Sequence, residues 1–366
     1  MNVHVVDPSA YTPPYDHALC SALGAAGAEV SLYTSRFAYG SVPDARSYRR
    51  IEFFYRASAL VPGSGAAAQR ARRALKLAEH VPDMLRYRRT AQAADVVHFQ
   101  WLSVQQLDGQ LLPRDKPLVL TAHDVLPREP RPGQRDAQRR LYDHFDAIVA
   151  HSAHGRARLI DELSIDAERV HVIPHGAFAH LAEAPESPPP FQTDKPVVLF
   201  FGLLRPYKGI DVLLDAWRTI DDAELWIAGM PRMDISELQA RAPANVRFVP
   251  RFITDEQLPP YFRRADLVVL PYREIEQSGV LFTALAFGKP LLVSDIGGFS
   301  EIAAAGAAHA VPPGDPAALG EALGGLLRDP AKLAALAAGA QQLAAGEYGW
   351  DAIATRTLAL YEQLTR

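Results

Sequence analysis

Arg205 and Lys208 stand three residues apart in Phe200-Phe-Gly-Leu-Leu-Arg-Pro-Tyr-Lys-Gly209, directly after an apolar run that reads as a strand. Gly202 lets the chain turn off that strand, and a helix is expected from about Ile210. Two cations at such an exit can hold a diphosphate and neutralise the charge that grows on it as a leaving group. Taken by spacing alone, the pair equally fits a solvated loop. A second stretch, Pro271-Tyr-Arg-Glu-Ile-Glu-Gln-Ser-Gly-Val280, runs from a strand end into an apolar helix reaching about Phe287. Ser278 fits an N-cap there, and free N–H groups at Gly279, Val280 and Leu281 would face an anion on the helix axis. Glu274 and Glu276 just ahead are suited to accept from sugar hydroxyls; simple capping with acidic residues near the dipole explains them too. A third, Leu120-Thr-Ala-His-Asp124, delivers His123 and Asp124 from the end of a strand. A histidine so placed can donate to a hydroxyl or relay a proton near neutral pH. Tyr15, Asp16 and His17 follow Pro13-Pro14 after the first strand and can line an acceptor pocket or simply start a helix. His98, His151 and His175 also end apolar runs and read as structural, with contact to an interdomain ligand the alternative for His175.

These side chains need parallel sheets to carry them. Val3–Val6, Asp95–Phe99, Leu118–Thr121, Ala147–Ala150 and Val170–Ile173 are short apolar runs separated by helical periods. Val197–Phe201, Glu224–Ala228, Val246–Val249, Leu267–Leu270 and Pro290–Ser294 repeat the pattern. Continuous apolar runs mean strands covered on both faces, hence an α/β chain of two Rossmann-like, doubly wound parallel-sheet domains facing across a cleft. In such sheets ligands sit at the carboxyl ends of the strands. The five prolines of Glu183–Pro196 read as a linker between residues 1–182 and 197–347. Residues 348–366 read as a terminal amphipathic helix.

Composition narrows the classes. The 366 residues are 48% hydrophobic and 22% charged with net charge −4, a globular composition and not a disordered or collagenous one. A single cysteine, Cys20, excludes an intramolecular disulfide and every multi-cysteine zinc site. No stretch approaches a membrane span and the N-terminus does not read as a signal peptide, so a cytoplasmic location is expected. Residues 1–182 carry about three net positive charges and the rest about seven negative. That modest excess, with no nucleic-acid motif, disfavours nucleic acid. Arg70, Arg72, Arg73, Lys76, Arg86, Arg88 and Arg89 share a segment with Leu75, Leu77, Val81, Met84 and Leu85. It is either an ordinary solvated helix face or a peripheral contact with the inner face of an anionic membrane.

Strand–G-x-L-x-x-x-K-G, then PY-x₄-QSGV-x₆-FGKP, then Leu292-Val-Ser-Asp-Ile-Gly-Gly-Phe-Ser-Glu301 resembles the GT4 family of retaining glycosyltransferases over most of the chain. Val172-Ile-Pro-His-Gly176 and Tyr348-Gly-Trp-Asp351 match the family's flanks. The resemblance implies a GT-B fold, nucleotide sugar in the C-terminal half, acceptor in the N-terminal half, and a last helix crossing back to the first domain. It assigns Arg205 and Lys208 to the diphosphate, and Gln277, Ser278, Gly279 and Val280 to the loop that meets phosphate and sugar. Arg251 and Phe252 then edge the nucleobase, with Gly229 and Met230 lining the same pocket. His123 falls where the family's histidine meets the donor sugar. One departure stands out. Thr283 occupies the place of the family's second motif glutamate, which binds ribose, and a turn one residue shorter puts Glu276 in the first role, with Glu274 the alternative. Pro13-Pro14 replace the glycine-rich first turn of many relatives.

The expectation is a hexosyltransferase taking a UDP- or GDP-sugar to a hydroxyl of a glycan, glycolipid or small molecule. No Asp-x-Asp pair or H-E-x-x-H spacing is present, so no metal and no other cofactor is expected. The alternative is a non-catalytic GT-B subunit that binds nucleotide sugar. Base, sugar, acceptor and oligomeric state are not legible here.

Overall fold

The computed structural model describes residues 1–37, 40, 42–63, 65–126, 133–275 and 278–366. They form two compact units, Met1–Pro174 with Trp350–Arg366, and His175–Gly349.

In the first unit seven parallel strands, β1 (Asn2–Asp7), β2 (Glu29–Thr34), β3 (Arg49–Glu52), β4 (Val96–Phe99), β5 (Leu118–Ala122), β6 (Ala147–Ala150) and β7 (Val170–Val172), lie in the order β3-β2-β1-β4-β5-β6-β7. Successive residues point to opposite faces of a strand. Val96, Val119, Ala147 and Val149 therefore enter one core with the helices Pro13–Ala25 and Trp350–Leu364. Val97, Leu120, Ile148 and Ala150 enter another, beneath Met84, Tyr87, Leu141 and Leu159 of the opposite helices. Both faces are dry, which is why these strands read as continuous apolar runs. The order reverses between β1 and β4, so loops leaving those strands diverge and open a crevice at their carboxyl ends.

The second unit holds β8 (Val197–Phe201), β9 (Glu224–Ala228), β10 (Val246–Val249), β11 (Leu267–Leu270), β12 (Leu291–Ser294) and β13 (Ala308–Val311) in the order β10-β9-β8-β11-β12-β13, again all parallel. Its switch point lies between β8 and β11. Trp217 and Trp226 fill its core with no exposed surface.

The division between the units falls at Pro174/His175 instead of Ala182/Glu183. The His175 ring stacks on Phe282 at 4.3 Å and 12°, Ala177 N–H donates to Tyr348 O at 2.8 Å, and Leu181 joins the second core. The expected linker Glu183–Pro196 lies within this unit. Its prolines leave carbonyls without ladder partners, and arginines take them: Arg263 donates to Ala182, Ala184 and Pro185, and Arg264 to Thr193 and Lys195. Three strands escaped the sequence pattern. β3 is a charged edge strand (RRIE), β13 is a short Ala/His edge strand, and β2 mixes Ser and Tyr into its apolar run.

The basic segment folds as one helix, Ala66–Thr90. Met84 and Tyr87 face the core, whereas Leu77, Val81 and Leu85, four residues apart, stay exposed. Among the described residues no helix is long and apolar enough to cross a membrane.

Candidate active site

At the carboxyl end of β1 the carboxylate of Asp7, with no exposed surface, accepts N–H groups from Ser9, Tyr11 and Thr12. This closes the loop tightly before Pro13-Pro14, which form the first helical turn, where proline's missing N–H costs nothing. Asp16, equally buried, meets Asp7 side chain to side chain; burial first, and the Asp7 charge second, push its carboxyl well above the usual range. The three N–H donors favour charge on Asp7, so the shared proton resides on Asp16. Thr12 Oγ1 links this pair to the aromatic face above. It accepts from Trp101 Nε1 at 2.9 Å and lies 3.4 Å from Asp16 Oδ1.

His123 follows β5 and is held on every side. Trp101 stacks on it at 4.9 Å and 8°, and Tyr15 meets it edge-on at 4.8 Å. Its Nδ1 lies 3.2 Å from His151 Nε2, and its Nε2 lies 3.1 Å from Gln100 Oε1. The proton order follows from the end of the chain. Ile173 O can only accept, so His151 donates to it through Nδ1 at 3.1 Å and leaves its Nε2 bare. His123 then carries a proton on Nδ1 and donates it to His151, and its bare Nε2 accepts from Gln100 with that amide turned to present its N–H₂. Burial holds His151 down at about 4 and so keeps it a neutral acceptor. His98 is pinned between Tyr361 Oη (2.6 Å) and Thr121 Oγ1 (2.7 Å), with its pKa pressed by burial to about 3. Both are structural histidines, as is His175 against Phe282.

Of the three consecutive acceptor-side residues, Tyr15 supports His123 and Asp16 supports the first loop. His17 points elsewhere, to Tyr48 Oη at 2.9 Å. A helix turn separates their directions by about 100° per residue, so adjacency in sequence did not bring them to one pocket. Asp124 is exposed on the rim.

In the second unit the switch point gathers Gly202, Gly229, Lys208 and the start of the helix Gly279–Ala286. Gly229 has φ +148°, and a Cβ there would overlap the Gly202 carbonyl. Gly209, at φ +68°, presses on the Pro271 carbonyl in the same way. These two approaches leave room for Lys208. Its ammonium donates to Tyr272 Oη at 2.9 Å and lies 4.7 Å from that ring's centroid, while Tyr272 Oη stands 3.4 Å from Ser278 Oγ. Lys208 is buried and Arg205 is exposed, so the two cations occupy different depths of the turn. Arg273 ties the loop after β11 to this turn through Asp211 at 2.6 and 2.9 Å and Pro206 O at 2.9 Å.

Ser278 occupies the N-cap position, yet its hydroxyl caps no N–H. Leu281 N–H is taken by Ser278 O at 2.9 Å, which leaves Gly279 and Val280 as the N–H groups available to an anion among the described residues. Thr283 is buried with its hydroxyl on Gly279 O at 2.9 Å, one turn back along its own helix. Arg251 bonds Phe252 O and Gln257 Oε1 beside β10, and Phe252 is 51% exposed. Glu276 and Gln277 lie outside the described residues; Glu274 is exposed. Sequence reasoning missed Trp101, Gln100 and Tyr272. Each sits within two residues of a strand's carboxyl end, the one signal that marked them.

The chain matches two family models, Glycosyltransferase Family 4 over residues 15–177 and Glycosyl transferases group 1 over residues 195–329. It is 31% identical over 304 residues to D-inositol 3-phosphate glycosyltransferase 1 of Catenulispora acidiphila, covering 73% of this chain and 72% of that one. The chain belongs to glycosyltransferase family 4. As a GT-B glycosyltransferase it resembles sucrose-phosphate synthase from Thermosynechococcus elongatus, with TM-score 0.77, 20% identity and 100% and 99% of the two chains covered. It also resembles HepE of Anabaena, solved in complex with UDP-glucose, with TM-score 0.71, 18% identity and 99% and 100% covered. The two-unit division of this family 4 glycosyltransferase corresponds to the two model matches, the second beginning inside the proline-rich stretch.

Proposed function

We propose that this glycosyltransferase moves a hexose from a nucleoside diphosphate sugar to an acceptor hydroxyl with retention and without a metal ion. The observation that carries the reading is the cradle at the switch point of β8 and β11. There a buried ammonium, two open N–H groups at a helix start and close-packed glycines converge on a space suited to a diphosphate. In the step itself the anomeric C–O bond breaks, its electron pair leaving on the diphosphate, while the acceptor oxygen forms the new bond on the same face. The acceptor proton passes to the departing phosphate oxygen, so no enzyme nucleophile is needed. Lys208, Arg205 and the helix start stabilise the charge that appears on the diphosphate, the role a divalent cation otherwise fills. His123, with Nδ1 committed to His151, offers Nε2 to a sugar hydroxyl in place of Gln100.

The acceptor belongs to the first unit. The Catenulispora relative's name, an inositol phosphate glycosyltransferase, supports an acceptor of polyol type, and the HepE complex supports a uridine sugar among the donors to test. The exposed stripe Leu77, Val81 and Leu85, with exposed Arg70, Arg73 and Arg89 on the same helix, supports peripheral docking on an anionic membrane facing the cytoplasm. Sedimentation with phosphatidylglycerol vesicles but not phosphatidylcholine vesicles, lost on replacing these three arginines by glutamine, is the expected result.

The test of the donor site is a melting-curve panel of UDP-, GDP-, ADP- and dTDP-sugars with and without EDTA. A ligand at a hundredfold excess over Kd stabilises by about 2.7 kcal/mol. A shift with one base that EDTA leaves unchanged supports the reading. No shift with any of them defeats the donor-site assignment, and a shift abolished by EDTA defeats metal independence.

A further inference from the structure

Tyr272 stands two residues past β11, with no exposed surface. Its ring is held from three sides. Phe299 lies at 5.4 Å, Tyr207 meets it edge-on at 6.1 Å and 88°, and Phe200 lies at 6.5 Å. Packing of that density keeps a side chain in one rotamer, so the phenol oxygen marks a fixed point at the switch of β8 and β11. From that point Lys208 Nζ is 2.9 Å away and Ser278 Oγ 3.4 Å away. One phenol thus sets the spacing between the ammonium and the start of the helix Gly279–Ala286. Gly202 shapes the other side. A Cβ there would stand 3.1 Å from Lys208 Nζ and 3.0 Å from Val280 Cγ2, so ammonium and helix start both close over bare backbone.

Resting on the glycosyltransferase reading above, we propose that Tyr272 is a positioning residue for transfer, holding the Lys208 ammonium where the diphosphate binds. A phenol orients the cation without cancelling its charge, as a carboxylate in its place would do. An ammonium has three protons, so the bond to Tyr272 persists while Lys208 donates to a phosphate oxygen. The gain is in conformational freedom. Lysine is among the most freely rotating side chains, and one already fixed by folding has little left to lose when the ligand arrives. Without the phenol oxygen the same ammonium has to be immobilised at every binding event. Arg205, exposed at the rim of the turn, stands outside this arrangement.

The experiment titrates inorganic pyrophosphate, a diphosphate without base or sugar, into the full chain in EDTA. Affinity is read from the rise in melting temperature up to millimolar ligand, which keeps weakened variants measurable. Tyr272→Phe retains the ring and its aromatic neighbours and removes only the oxygen. Pyrophosphate affinity should fall about three- to tenfold in this variant. The same change should cost that factor again in an Arg205→Met background and nothing further in Lys208→Met, because its effect passes through the ammonium. Unchanged affinity in Tyr272→Phe, with binding weakened in Lys208→Met, overturns the proposal and leaves the donor site standing. An equal loss in the Lys208→Met background also overturns it, since the phenol would then be a structural support of its loop. If the parent takes no pyrophosphate, or Lys208→Met takes it as well as the parent, the diphosphate cradle itself falls and this proposal with it.

Discussion

Acidification from pH 7.5 to pH 5 should unfold the first unit far more readily through its buried histidines, His98 and His151 together with His4, which burial also holds at about 4. His98 and His151 are neutral in the folded chain, with pKa values of about 3 and about 4, both set by burial. An unfolded histidine titrates near 6.5. A depressed folded pKa means stability that is complete above the unfolded value and is lost as pH falls toward the folded one. At pH 5 each site contributes a loss of about 2 kcal/mol, so the pair removes about 4 kcal/mol from a typical total of 5–15. For a unit of about 190 residues that corresponds to a melting temperature lower by roughly 8–16 °C. The assay is urea unfolding at the two pH values for the parent, His98→Gln and His151→Gln. Each variant should lose about 2 kcal/mol of the pH difference, whatever its absolute stability, because only the titrating group has been taken away. A pH difference unchanged within about 0.5 kcal/mol in both variants would refute the reasoning, since independent sites add to that accuracy.

The buried pair Asp7 and Asp16 works in the opposite direction. Its raised pKa gives stability present at low pH and lost as pH rises, so Asp16→Asn, which keeps a donor toward Asp7, should melt higher than the parent at pH 8, with the gap closing toward pH 4. Lys208→Met and Arg205→Met should each weaken donor binding about 10- to 150-fold in calorimetry, the worth of one charge-assisted hydrogen bond of about 1.5–3 kcal/mol. Lys208→Met alone should also lower the melting temperature, because only Lys208 packs on Tyr272. Gly229→Ala should cost roughly 3 kcal/mol or more by chemical denaturation, since its Cβ meets a backbone carbonyl that has nowhere to move.

Ten of the strands were legible because a dry, two-sided strand leaves a short apolar run bounded by turn residues. The edge strands β3 and β13 were not, since an edge is kept polar or short to prevent pairing with other chains. The sharp turn after β8 was readable from Gly202 and Gly209, but the different depths of Arg205 and Lys208 were not, because Lys208 packs on Tyr272, sixty-odd residues away. His123 was readable from its place after β5; its proton order needed His151 and the Ile173 carbonyl, a contact across two strands. The division at His175 was hidden for a similar reason. A stacked ring outweighs a run of prolines, and stacking partners distant in sequence leave no local trace.

The helix Trp350–Leu364 packs into the first unit, with Trp350 against Tyr15 and Tyr361 bonded to His98. Translation delivers that helix only after the whole of His175–Gly349 has been made. A ribosome that has released Met1–Pro174 has therefore exposed a sheet with one face only partly covered, by Pro13–Ala25, and it stays so throughout synthesis of the second unit. The first unit must wait in that state, guarded by chaperones or by its own partial collapse. A chain cut before Trp350 leaves His98 without Tyr361 and part of an apolar face without its helix.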